Sequence, residues 1–134
     1  MTSGARARAT LVAVAATAAM WTGGAAARHD PTTKATRRVD VQAARKPTKY
    51  GELRFLQRRL TVGAGRVTFV FTNPATLGHN LAIRRGKRRL GATPTIARGA
   101  TRRLTLRLTA GRYTFYCAVP GHEAAGMRGP LTVR

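Results

Sequence analysis

Strict alternation of apolar and polar side chains over short runs constrains this chain more than any other feature. In "RVTFVFTN", residues 66–73, Val67, Phe69 and Phe71 share one face, while Thr68, Val70 and Thr72 take the other. In "TRRLTLRLT", Leu104, Leu106 and Leu108 alternate with Arg103, Thr105 and Arg107. In "RYTFYC", Tyr113, Phe115 and Cys117 fall together. Side chains repeat with period two only in an extended strand, and β-branched and aromatic residues suit that conformation. "GELRFL", "HNLAIR" and "PLTV" read as shorter strands, and "TPTIA" is the least regular of the set. Gly- and Pro-bearing segments ("VGAG", "TNP", "RRGKRR", "TAG") punctuate them, and no long amphipathic helix is apparent. Many short strands at this spacing predict an all-β fold, a Greek-key β-sandwich or barrel.

The N-terminal part has a different character. Arg6 and Arg8 precede the uncharged run "ATLVAVAATAAMW", and "TGGAAARHD" follows. A positive start, a short apolar stretch and small residues at Ala25 and Ala27 describe a secretory signal peptide over 1–27. The run is nearly of membrane length, but Ala, Thr and Gly dominate it, which favours removal over retention as an anchor. Residues 28–49 mix Thr, Lys, Arg, Ala and Pro without a sustained apolar period, and they read as a disordered basic linker. The folded domain is then expected over 50–134.

Export bears on the thiol content. Secreted domains commonly pair their cysteines, yet this chain has one, Cys117, so no internal disulfide can form. Charge is equally lopsided: 25 basic residues face 4 acidic ones, a net +21. Removal of 1–27 takes two arginines and no acid, leaving +19. Such a field favours acidic partner proteins and anionic envelope or membrane surfaces. A specific nucleic-acid role is not expected of an exported chain whose arginines are spread along its length. "RRGKRR" reads as the solvated tip of a hairpin.

Ligand chemistry is concentrated in "TFYCAVPGHEAAGM", residues 114–127. Cys117 ends a strand, Pro120 and Gly121 let the chain turn, and His122 and Met127 follow at Cys-x4-His-x4-Met spacing. A fourth candidate, His79, opens the strand "HNLAIR". Taken singly, each has a plain structural role: a buried thiol, a core Met, a surface His. Taken jointly, two imidazoles, a thiolate and a thioether form a soft donor set suited to copper with a weak axial Met. Structural zinc sites instead use Cys and His alone.

Together, "AGRYTFYCAVPGHEAAGMRGPLTV" and "FTNPATLGHNLAI" resemble the cupredoxins, the plastocyanin- and azurin-like blue copper proteins. The Cys-x4-His spacing is most similar to that of the rusticyanin and auracyanin types. The resemblance spans roughly residues 50–134. It implies one type 1 copper per chain, with His79, Cys117 and His122 as equatorial ligands and Met127 as the axial one. It further implies that Asn80 pins the ligand loop and donates towards the cysteine sulfur, and that the edge of His122 is the electron port.

Four function classes compete, one of them a basic polyanion-binding module with a vestigial site, which the complete ligand set disfavours. The first is an exported one-electron carrier that meets redox partner proteins, acts as a monomer and is periplasmic, envelope-bound or secreted. The second is a copper storage or delivery protein using the same donors. The third, a copper enzyme, requires further histidine clusters. Beyond His79 and His122 only His29 remains, so no enzymatic activity is expected.

Overall fold

Eight β-strands make up the regular structure in the computed structural model of the chain, which describes residues 36–46 and 53–134. They are β1 (Arg37–Gln42), β2 (Leu60–Val62), β3 (Gly65–Thr72), β4 (Ala82–Arg85), β5 (Arg88–Ala92), β6 (Thr101–Leu108), β7 (Gly111–Tyr116) and β8 (Arg128–Val133). No helix occurs among the described residues. One sheet has the order β1-β3-β6 and the other β2-β8-β7-β4-β5. The pairs β1–β3 and β2–β8 are parallel, and the remaining pairs are antiparallel. This is the expected all-β sandwich. The signal peptide expected over 1–27 lies outside the described residues.

The alternation read from the sequence is the alternation that builds the core. Val67, Phe69 and Phe71 of β3 are buried, as are Tyr113 and Phe115 of β7 and Leu131 and Val133 of β8. Leu104 and Leu106 of β6 pack inward against the close approach of Gly91 on β5. Phe55 joins the two layers. It is 1% exposed, its ring meets Phe71 edge-on at 6.0 Å between centroids, and it meets Phe115 at 5.3 Å. Burying a ring of this size contributes about 2–3 kcal/mol, and such edge contacts add about 1 kcal/mol. Gly129 makes the fit possible: a Cβ there would stand 2.5 Å from Phe115 Cζ and 2.6 Å from the Arg58 carbonyl oxygen.

The linker expected over 28–49 does not extend through residues 37–42. These form β1, in register with β3 from Arg37↔Val67 to Gln42↔Thr72, and Ala43 bridges Phe55. The inward residues of this segment, Val39, Val41 and Ala43, do alternate. Their neighbours Arg38 and Asp40 face solvent, as befits an edge strand that charge protects from further pairing. The folded unit therefore starts by residue 37 rather than 50. Of "GELRFL", the described part contributes only the Phe55 bridge, and "TPTIA" contributes only the bridge of Ile96 to His79. "RRGKRR" is the expected hairpin tip. β4 and β5 turn at Gly86–Lys87, and Gly86 has φ 57°, the positive value a primed two-residue turn needs at its first position.

Candidate metal centre

β4 and β7 are neighbours, so the residues before one and after the other meet at the same end of the sandwich. His79 lies three residues before β4, and Cys117 directly follows β7. Their position at a sheet end, where the ladder stops, leaves both side chains without strand partners and aimed at a common point. His79 is fixed by a two-way bridge, with its N–H donating to the Ile96 carbonyl at 3.2 Å and its carbonyl accepting from the Ile96 N–H at 2.8 Å. Asn73 braces this segment from beneath. Its buried amide donates to the Leu77 and Ile96 carbonyls at 2.8 and 2.9 Å, and its Oδ1 accepts from the Ala75 N–H at 3.0 Å.

The connection from Cys117 to β8 folds back on itself through residues 120–126. Gly121 and Gly126, with φ 81° and 100°, occupy backbone positions that disfavour side chains. The His122 N–H donates to the Val119 carbonyl, and the Met127 N–H donates to the His122 carbonyl, each at 3.0 Å. The Cys117 N–H donates to the Met127 carbonyl at 3.0 Å. These bonds bring His122 back over Cys117 and place Met127, fully buried, at the foot of the loop.

The donor atoms converge. His79 Nδ1 and His122 Nδ1 are 3.0 Å apart, and Cys117 Sγ lies 3.9 Å and 3.5 Å from them respectively. All three lie within 4.8 Å of one another. Such a triangle fits a first-row ion bonded to imidazole nitrogen at about 2.0 Å and to thiolate at about 2.3 Å. Two imidazoles with a thiolate, and a thioether in reserve at Met127, select copper among the candidate ions. His79 is 2% exposed, whereas His122 is only partly buried, so the second imidazole is the outer one.

Burial sets the charge state of the two inner donors. Burial, and then the neighbouring His122 charge, push the His79 pKa below its ordinary 6.5, keeping the ring neutral and able to coordinate. Burial pushes the Cys117 thiol above 9.0, against the opposing pull of the Asn80 and Val119 backbone N–H groups. An incoming cation would therefore displace a proton from the sulfur. The Asn80 N–H points at Sγ from 3.5 Å, and Asn80 Oδ1 accepts from the Ala118 N–H at 2.6 Å. Both contacts match what the resemblance implied for Asn80.

Thus the structure brings His79, Cys117 and His122 together and joins Met127 to two of them through the backbone. Sequence reasoning missed Asn73, taken there as part of a turn, and the ion pair of Glu123 with Arg84 at 2.6 Å. An asparagine between a strand and a proline does signal turn chemistry, but nothing in its residue type distinguishes a buried brace from a solvated bend.

Residues 42–134 match the family model of copper binding proteins of the plastocyanin/azurin family. No curated protein gives a significant match. Among solved structures, the dithionite-reduced auracyanin of Roseiflexus castenholzii superposes with a TM-score of 0.66 at 21% identity, covering 75% of this chain and 98% of that one. Auracyanin A of Chloroflexus aurantiacus, described as a blue copper protein, gives 0.57 at 26% identity, over 72% and 99% of the two chains. Rusticyanin of Thiobacillus ferrooxidans gives 0.58 at 22% identity, over 75% and 79%.

Proposed function

The chain belongs to the plastocyanin/azurin family of copper-binding proteins, and from that premise we propose that it is an exported one-electron carrier with a single type 1 copper. The proposed ligands are His79, Cys117 and His122, with Met127 as the weak axial donor. The observation that carries this reading is the meeting of two imidazole nitrogens and one thiol sulfur within 4.8 Å at the end of a rigid sandwich.

Copper, when bound, supplies the one-electron couple. The chain does the rest. Its two sheets and the Asn73 and Asn80 braces hold the donors in one arrangement for both oxidation states, which lowers the reorganisation that each electron transfer requires. The Asn80 N–H, aimed at Sγ, withdraws electron density from the sulfur and tunes the potential. Burial of His79 and Cys117 excludes water from the inner side. His122 is the partly exposed donor, and the residues around it include the uncharged Val119, Pro120, Gly121 and Ala124. Such a patch suits brief partner contacts of under about 1,200 Å². Surrounding arginines steer acidic redox partners to it, and they give the protein, acting as a monomer outside the cytoplasm, a means of resting on an anionic envelope. No catalytic turnover is assigned.

Addition of Cu(II) to the metal-free protein tests the reading. Intense blue or green charge-transfer absorption with a type 1 paramagnetic signal and reversible one-electron behaviour are expected, whereas a protein that takes up no copper sinks it. Thiolate and thioether also favour Cu(I), so rapid Cu(I) exchange without reversible redox behaviour would instead identify a storage or delivery protein.

A further inference from the structure

Acidic residues are scarce in this chain, and one of them stands beside a candidate ligand. Among the described residues only Asp40 and Glu123 are acidic, and Glu123 directly follows His122. Its Oε1 lies 2.6 Å from Arg84 Nη1 and 3.9 Å from Arg128 Nη1. The Arg84 and Glu123 side chains are 24% and 28% exposed, so solvent screens this pair less than the open Arg38–Asp40 pair, at 62% and 66%.

Arg84 is itself constrained. It sits on β4, directly opposite Thr114 of β7 and Arg89 of β5. Its guanidinium lies over the Tyr116 ring, 4.6 Å from the centroid. Like charges facing each other across a strand pair repel, and the Glu123 carboxylate offsets the repulsion between Arg84 and Arg89. The Tyr116 ring and the Glu123 carboxylate together restrain the guanidinium. Its position is set by the same β4–β7 pair whose ends carry His79 and Cys117.

The loop needs such an external reference. Its start is tied to Asn80 through the Ala118 N–H, and its end to the Leu53 N–H through the Ala125 carbonyl. Between these ties, the His122 backbone bonds only within the loop, its ring meets the inner donors at His79 Nδ1 and Cys117 Sγ (3.0 and 3.5 Å), and it follows a glycine with φ 81°. We propose that Arg84 is a positioning residue for His122, acting through Glu123. By fixing the side chain next in sequence, it holds the outer imidazole in register with the two inner donors. The proposal rests on the reading of His122 as a copper ligand.

The test compares full-length wild-type protein with Arg84→Gln, Glu123→Gln, the double variant, and Arg88→Gln as a charge-matched control at the exposed hairpin. In the metal-free proteins, amide hydrogen exchange at Gly126 and Met127 is measured, because their N–H groups close the loop onto Glu123 and His122. Each single variant is expected to speed this exchange about fivefold, the size of effect a partly buried ion pair supports. The double variant should add little more, since both substitutions remove one interaction, and Arg88→Gln should change nothing. In the copper-loaded proteins, both single variants should shift the reduction potential and alter the paramagnetic signal. Unchanged exchange, additive effects, or an equal response to Arg88→Gln would overturn the proposal. So would an equal rise at the Phe115 and Ala82 amides, which marks general loosening. Failure of the wild-type protein to take up copper would reject the ligand reading, while exchange in the metal-free proteins would still decide whether Arg84 orders the loop.

Discussion

The two imidazoles of this site are held by opposite means. His79 is buried and bridged in both directions to Ile96, above an asparagine whose amide makes three hydrogen bonds. His122 is partly exposed, in a glycine-flanked turn whose bonds are mostly its own. The inner half of the site is thus part of the sandwich, and the outer half is a loop fastened to it at a few points. An electron carrier has a use for both: a rigid inner wall that keeps the donor geometry, and an outer ligand close enough to solvent for a partner to approach.

The largest expected effect treats the halves alike. Cys117→Ser removes the one soft anion they share, and charge-transfer colour and the type 1 signal should vanish completely. Colour that survives would reject the site. Next comes a substitution aimed at the inner wall. Asn73→Ala leaves the Leu77 carbonyl and the Ala75 N–H unpaired and takes one of its two donors from the Ile96 carbonyl, and it should lower stability by about 2–4 kcal/mol in denaturant unfolding, since a buried unsatisfied group costs about 1–3 kcal/mol. His79→Ala should then damage copper uptake and leave the loop fold alone. A loss under 1 kcal/mol for Asn73→Ala would mean that the inner half is no better braced than the outer.

Acidity and alkalinity should probe the two buried donors without mutation. His79 has a folded pKa below 6.5, so below that pH the unfolded chain binds more protons, and the metal-free fold loses stability as pH falls. Cys117 has a folded pKa above 9.0, so above that pH the unfolded chain releases its proton first, and stability falls as pH rises. Thermal unfolding of the metal-free protein should therefore show greatest stability between these limits, and substituting either group should flatten the corresponding flank. The smallest change is Met127→Leu. It keeps volume and colour, because the strong donors remain, and it should raise the potential measured by voltammetry.

Much of this was legible in the sequence, for identifiable reasons. Val67, Phe69 and Phe71 announce a strand because a half-buried strand must alternate, and Cys117, His122 and Met127 announce a site because ligand chemistry is rare and their spacing is close. β1 was hidden because a short edge strand offers only Val39 and Val41 against a charged outer row. Asn73 and the Arg84–Glu123 pair were hidden because their roles depend on partners at the far side of the fold. In a chain with 25 basic residues, no local pattern shows which arginine finds the carboxylate.

The parallel pairing of β2 with β8 bears on the order of assembly. Leu60 pairs with Leu131, and the stretch between them contains every proposed donor, so the five-stranded sheet can close only after the whole ligand loop has been delivered. Pairing at such separation is slow because a large chain segment must first be confined. A chain emerging N-terminus first thus exposes His79 well before Cys117, His122 and Met127 can join it, so the full donor set assembles only once residues 117–127 have followed.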